Sequence, residues 1–309
     1  MPRAEPLVSV LMNCRNGERY LRAAIDSVIA QTYQNWEIVF WDNRSTDGSA
    51  AICKSYADPR IRYFHSDEDS NLGGARAFAL AQVRGELVAV LDVDDLWLPR
   101  KLELQLPCFD DPEVGIVISD TLFFTDDGKQ RQLFRDGPPP QGRVFHELVA
   151  HYFVSLETAV LRKSAIDAAG VGFDSTYSHI CDLDLITRLS LDWKLVCVEQ
   201  VLAQWRVHAV SASWAEPDRF YREKLEFIRQ MDANPKFRSE WPKSRELFVR
   251  NTEVSEAIAC LARGDIARCR SMLAPYLPRD RKALAAYTLS WLPFGRRLMD
   301  AYRRRKAMC

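Results

Sequence analysis

The sequence lacks the marks of several common protein classes. It has no CxxC pair, and its eight cysteines and five histidines show no spacing suited to zinc. Cys14, Cys53, Cys108, Cys181, Cys197, Cys260, Cys269 and Cys309 stand singly, mostly in apolar surroundings, which reads as reduced core thiols in a cytoplasmic protein. No segment approaches the ~18 consecutive apolar residues that a spanning helix needs. The opening "MPRAEPLVSV" has neither the basic region nor the long apolar run of a secretion signal. The expectation is therefore a soluble or peripheral chain. Excess charge is missing too. Lys+Arg and Asp+Glu both total 42, so nucleic acid is not an expected partner.

What is present is ample apolar content, 47% of 309 residues, enough for one large domain with an appendage. "LVSVLMN" (Leu7 to Asn13) predicts a strand, and Tyr20, Leu21, Ala24, Ile25, Val28 and Ile29 then share one helical face. Strands follow at Trp36 to Trp41, Ile61 to His65 and Glu86 to Leu91, with helices at Asp47 to Ala57 and Gly73 to Val83 between them. Nearly continuous apolar strands alternating with helices predict an α/β fold, a mostly parallel sheet covered on both faces. Beyond Gly115 to Asp120 a hairpin is expected to turn at Asp127-Gly128. A strand near Thr158 to Leu161, helices at Lys163 to Ala169 and Asp182 to Leu191, and strands at Lys194 to Val198 and Val201 to His208 complete this domain, placed at residues 1–214. Its first half runs to about residue 120. Residues 215–309 read as helical, with two helices joined at Gly264-Asp265.

Local charge is less even than the total. From Arg279 to Cys309 there are nine basic and two acidic residues, a net of +7, which leaves the remainder at −7. Together with Leu284, Tyr287, Leu289, Trp291, Leu292 and Phe294, this composition suits a segment lying on an anionic membrane surface. It suits equally a helix packed on the domain with a solvated basic end.

The densest chemistry is in "LVAVLDVDDLWLP", which crowds Asp92, Asp94 and Asp95 at a strand end. Like charges this close resist burial, and a divalent cation is the natural occupant. Ligands of such sheets bind beyond the carboxyl ends of the strands. Asp42 ends the second strand and should face the same crevice as the acids of the fourth, with Asn43 beside it, a turn being the plain alternative for the pair.

These segments carry a resemblance. "VSVLMNCRNGERYLRAAIDSVIAQTYQNWEIVFWDNRSTDGS", "NLGGARAFALAQVRGELVAVLDVDD", "CDLDLITR" and "LAQWRVHAVSAS" resemble, in order, the motifs of family 2 glycosyltransferases over Leu7 to about Trp214. The resemblance implies a GT-A fold and inverting, Mn²⁺- or Mg²⁺-dependent transfer of a sugar from a nucleotide-sugar to a glycan or lipid-linked acceptor, in cell-surface polysaccharide biosynthesis. It implies that the domain's first half, to about residue 120, binds the nucleotide and its second half, to 214, the acceptor, with Asp42 and Asn43 at the base and Asn13 and Arg15 lining the same pocket. It implies Asp94 as metal ligand, with His208 reaching the metal or the diphosphate. Asp92 and Val93 belong to the same DxD motif, Asp95 supports it, and Arg76 stands on the diphosphate side. Asp182 is the implied general base, with a helix cap as its plain alternative. Asp184 and Arg188 form an orienting pair, while Trp205 and Arg206 help close the site. Two departures stand out: Asn43, where the family more often has an acid, leaves UDP against dTDP or GDP open, and Cys181 replaces an acid beside the base. Selectivity for the acceptor is expected in "FRDGPPPQGRVFHELVAHYF". A nucleotide-sugar-binding protein without turnover is the first alternative. A magnesium phosphohydrolase is weaker, since its DxD ends the first strand and here the motif ends the fourth. A dinucleotide-dependent oxidoreductase is weaker still, for want of a GxGxxG after the first strand.

Overall fold

A computed structural model describes residues 5–208, 217–277 and 279–299. The stretch from Ala209 to the expected boundary at Trp214, and the tail from Asp300 onward, lie outside the described residues. The chain divides into two compact units, one running to Leu148 and resuming from Tyr152 to His208, the other made of Val149–His151 and the chain after His208.

The first unit is built on one sheet. Strands β1 (Val8–Cys14), β2 (Trp36–Asp42), β3 (Ile61–His65) and β4 (Leu87–Val90) are parallel, in the order β3-β2-β1-β4. All seven residues of β1 are buried, which is why the strand reads as an apolar run with no alternation. Helices α1 (Glu18–Ile29), α2 (Ser49–Lys54) and α3 (Leu72–Leu80) make the crossovers. Leu21, Ala24, Ile25 and Val28 of α1 are buried, each such side chain contributing about 1.5–3 kcal/mol for the larger ones. Register aligns the strand ends, Cys14 beside Asp42 and Asp42 beside His65, so the loops leaving these strands emerge at one edge.

Beyond β4 the sheet becomes mixed. The short β5 (Leu96–Trp97) and helix α4 (Lys101–Gln105) precede β6 (Val114–Phe124), which turns through a hairpin into β7 (Gln130–Gln132). After α5 (Phe145–Ala150), β8 (Val160–Arg162) lies antiparallel between β4 and β6. Helices α6 (Lys163–Ala169) and α7 (Cys181–Ser190) lead to β9 (Lys194–Arg206), parallel to β6. The two strands expected at Lys194 to Val198 and Val201 to His208 are thus one. Register shifts opposite Ser119 to Thr121 absorb the exposed Glu199 and Gln200, a bulge that interrupts the apolar pattern without breaking the strand.

Strand β5 is not expected from the sequence, since two residues carry no periodicity. Leu96 and Trp97 pair antiparallel with Gln204 and Ala203 of β9. The acidic loop is thereby held at both ends, by β4 on one side and β9 on the other.

The second unit contains helices α8 (Pro217–Ala233), α9 (Trp241–Arg263), α10 (Ile266–Leu273) and α11 (Arg281–Leu289). Gly264 ends α9 at φ +92°, a left-handed position that favours glycine, and the Asp265 side chain caps α10 by accepting from the Arg268 N–H. A core of Val254, Ala257, Cys260, Leu261, Cys269, Leu273, Ala283, Ala286 and Met299 holds α9, α10 and α11 together. Among the described residues no helix is long and apolar enough to cross a membrane.

Candidate active site

The loop after β4 turns tightly, the Asp95 N–H donating to the Asp92 carbonyl at 3.0 Å. Val93 packs under the β1–α1 turn, so closely that a Cβ at Gly17 would lie 2.8 Å from its methyl carbon. Each acid of the loop has its own environment. Asp92 takes Arg76 Nη2 on both oxygens, at 2.7 and 2.8 Å. Asp94 faces His208, Oδ2 to Nε2 at 2.9 Å, and burial followed by the charge of Asp92 pushes its carboxyl up while His208 pulls it back. Asp95 is 1% exposed and accepts the Arg206 N–H at 2.8 Å. Burial, then Glu157 and the two neighbouring acids, hold its proton well above the usual carboxylate range.

Arg76 is buried on α3. Its Nη1 reaches Cys181 Sγ at 3.3 Å, and its Nε is buried with no partner. Burial opposes the charge, but the carboxylates of Asp92 and Asp182 help to outweigh it and keep the guanidinium protonated. Cys181 opens α7, and burial pushes its thiol up to about 11 despite Arg76, leaving a neutral contact.

Asp182 follows on the same helix. Ile180 occupies the cap position, so Asp182 is not the cap. Tyr152 Oη donates to Asp182 Oδ2 at 3.0 Å, and burial raises the carboxyl while Arg76 and Tyr152 hold it down. Tyr152 lies in the loop expected to select the acceptor, yet nothing in its local pattern marked it. Asp184, two positions on, is 2% exposed and bonded by Arg188 Nε at 2.6 Å; burial still lifts it to about 6, with Arg188 opposing.

On the β1–β2 side, Asp42 accepts from Tyr63 Oη and the Ser45 N–H, both at 2.7 Å. Two of a carboxylate's roughly four acceptor positions stay open. Asn43 is otherwise placed than expected: its amide donates to the Ser70 carbonyl at 2.7 Å and its oxygen accepts the Ser70 hydroxyl at 2.9 Å, so it ties down the 66–70 loop and is not directed at a base. Asn13, at the end of β1, has both side-chain polar atoms buried without a partner. Arg15 is exposed, in an ion pair with Asp69 at 3.2 Å.

Around His208 the packing is aromatic and cationic. Its ring lies 5.5 Å from that of Tyr20 and its Nδ1 is buried without a partner. Arg206 donates to the Asp94 carbonyl at 3.1 Å and to Asp126 at 2.7 Å, its guanidinium over Tyr20 and Phe124. Asp126, at the β6–β7 hairpin tip, also takes Arg19 and the Tyr20 hydroxyl. Trp205 instead packs edge-on against Phe123 of the neighbouring strand, 5.0 Å between centroids.

Beneath the loop lie two charged groups that sequence reasoning missed, Glu157 and Lys101. Both are buried, Lys101 completely. The Lys101 ammonium bonds Gln105 at 2.6 Å and sits over the Trp97 ring, and burial lowers it to about 7 although Glu157 pulls the other way. A lysine and a glutamate in helix-and-loop segments read as solvated, and only the tertiary fold buries them.

No three His, Cys, Asp or Glu side chains among the described residues form a ready-made metal cage. The donor set nevertheless fits a hard divalent cation. Such ions take one or two carboxylates and fill the rest of their shell with substrate phosphates and water. Burial, and after it the charge of Asp92, raises the Asp94 carboxyl, and a cation bound there would favour its ionised form. The partnerless Asn13 amide and His208 Nδ1 are buried polar atoms of the kind a ligand or water satisfies.

The sequence profile of Glycosyl transferase family 2 matches residues 9–169, about half of the chain. The chain belongs to that family. An Escherichia coli member, UDP-Glc:alpha-D-GlcNAc-diphosphoundecaprenol beta-1,3-glucosyltransferase WfgD, is 38% identical over 100 residues, 32% of this chain and 40% of its own length. The chain thus spans less than half of that relative. An uncharacterized glycosyltransferase of Methanocaldococcus jannaschii is 27% identical over 212 residues, 66% of this chain and 71% of that one. Among solved structures, Staphylococcus aureus TarS 1-349 in complex with UDP-GlcNAc is similar at a TM-score of 0.66 and 15% identity, covering 97% of this chain and 90% of that one. Mannosyltransferase PcManGT from Pyrobaculum calidifontis, in complex with GDP-Man and Mn²⁺, gives 0.61 and 19%, covering 99% and 87%. The fold is the GT-A architecture of family 2, a mostly parallel sheet between helices with further helices after it.

Proposed function

We propose that this chain is an inverting, divalent-cation-dependent glycosyltransferase. It moves a sugar from a UDP- or dTDP-linked donor to a hydroxyl of a glycan or lipid-linked acceptor, in the cytoplasm, during synthesis of a cell-surface polysaccharide. The observation that carries the reading is the guanidinium of Arg76. One of its nitrogens bonds Asp92 of the acidic loop and another touches Cys181, the neighbour of Asp182. A diphosphate-binding loop and a general base are thereby within the reach of one side chain, as a displacement at the anomeric carbon requires. The glucosyltransferase relative, whose name specifies a diphosphoundecaprenol acceptor, supports the lipid-linked option.

In this reading Asp42, Asn13 and Arg15 take the nucleotide, with Asn43 holding the adjacent loop. Asp94 and His208 would hold the cation, Mn²⁺ or Mg²⁺, which when bound neutralises the diphosphate and stabilises the charge it gains on leaving. Arg76 offers its unpartnered Nε toward the same charge. Asp182 accepts the proton of the attacking hydroxyl, oriented by Tyr152. Its buried carboxyl holds a proton more firmly than an ordinary aspartate, which favours uptake in the transition state. One base and one displacement invert the anomeric centre. Residues 1–214 would form the catalytic domain, with 215–309 a helical extension.

The test is transfer from a panel of nucleotide-sugars with Mn²⁺ to a lipid-diphosphate-linked sugar, reading the product's anomeric proton by NMR. Inverted product, lost when EDTA is added, is expected. Retained configuration rejects the mechanism, undiminished transfer in EDTA rejects the cation, and donor binding without transfer favours the binding protein.

A further inference from the structure

A lipid-linked acceptor would bring the protein to a membrane, and the second unit carries a surface suited to one. Large apolar side chains are mostly covered in this chain, but Leu284, Trp291, Leu292, Phe294 and Leu298 are 40–61% exposed. They account for five of the eight exposed large apolar residues described, all within fifteen positions. Their placement is ordered. Ala283, Ala286 and Met299 turn into the helical core, while Leu284 and Trp291, seven apart, and Phe294 and Leu298, four apart, remain on the outside. Trp291 lies under the Arg270 guanidinium, 3.4 Å from its ring centroid, which pairs an apolar plate with a cation.

Charge decides what such a surface fits. Arg281 to Met299 contains Arg281, Lys282, Arg296 and Arg297 and no acid, and all four are exposed. An apolar patch alone would suit any apolar partner. One whose own segment carries cations and no acid suits an anionic lipid surface, where each basic residue near the headgroups strengthens binding and tryptophan settles at the interface. We infer that Leu284, Trp291, Leu292, Phe294 and Leu298, with these four basic residues, dock the protein peripherally on anionic membrane. The inference rests on this surface alone and stands whatever reaction the first unit performs.

The experiment is flotation of the full-length chain with vesicles of phosphatidylcholine, with and without 30% phosphatidylglycerol. Co-flotation with the anionic vesicles only, lost in 0.5 M salt, is expected. Two full-length variants separate the contributions, W291S/F294S and R296E/R297E, each first checked for an unchanged thermal melt; both are expected to weaken vesicle binding at least tenfold. These side chains are exposed, so folding should tolerate both, and the charge reversal leaves the apolar patch intact if the first variant does not fold. Wild-type protein that stays at the bottom of the gradient overturns the inference, as do variants that float like wild type. Sedimentation that shows a wild-type oligomer dispersed by W291S/F294S would assign the patch to a second copy of the chain and overturn it as well.

Discussion

Two buried acidic places lie close together in this fold, and their electrostatics differ. Asp184 on α7 has a counterion of its own, Arg188, at i+4 and 2.6 Å. The acidic loop gathers Asp92, Asp94 and Asp95 above Glu157, with Arg76 and His208 as the side chains that contact Asp92 and Asp94. The first pairs one acid with one cation, although burial still lifts Asp184 to about 6. The second sets Asp94 beside Asp92 and Asp95 beside Glu157, and burial with these like charges favours the protonated form of Asp94 and Asp95. The difference teaches how to tell a structural acid from a ligand-binding one, by asking whether the fold alone satisfies it.

The sharpest way to break the comparison is to treat neighbouring acids alike. Asp182→Asn is expected to lower turnover by roughly 10²–10⁴-fold, the range for losing a general base, with donor affinity near wild type by calorimetry. Asp184→Asn is expected to change turnover far less, and equal losses in the two variants would merge the two roles. Because burial raises the Asp182 carboxyl, the acidic limb of kcat/KM should lie above the ordinary carboxylate range, activity falling as pH drops through it.

Next in size is stability. Arg188→Met leaves Asp184 buried without its ion pair and is expected to destabilise by about 3–5 kcal/mol in urea titrations. Asp95→Asn should cost less than about 1.5 kcal/mol, since the native carboxyl already favours its neutral form. A reversed ranking would undo the distinction between the two places.

Asp94→Ala is expected to lower cation-supported donor affinity by about 10–100-fold, and EDTA should do the same to the wild type. Undiminished affinity in either case would mean that the loop's charge is met without a metal.

A pH-dependent effect concerns Lys101. The folded state holds its proton only up to about 7, against 10.5 for an ordinary lysine. Between those values the unfolded chain binds more protons, so this group makes stability rise with pH, by up to about 1.4 kcal/mol per unit. Relative to Lys101→Met, wild type should therefore gain stability between pH 7 and 9, and parallel curves would show that Lys101 does not titrate there.

The pattern of residues along the chain was by itself enough for the alternating strands and helices of the first four strands, for the hairpin at Asp127-Gly128, for the helix pair hinged at Gly264 and for the acids crowded after β4. Periodicity, turn chemistry and caps act within a few residues, so they are written locally. Only the tertiary structure decided which acids share a counterion. The β5–β9 pairing carries His208 to Asp94 across 114 positions, Tyr152 meets Asp182 from another element, and Ser70 takes both ends of the Asn43 amide. It also decided that Lys101 and Glu157 would lie in the dark beneath the loop. Burial and long-range partnership depend on how elements close on one another, and no local period records that.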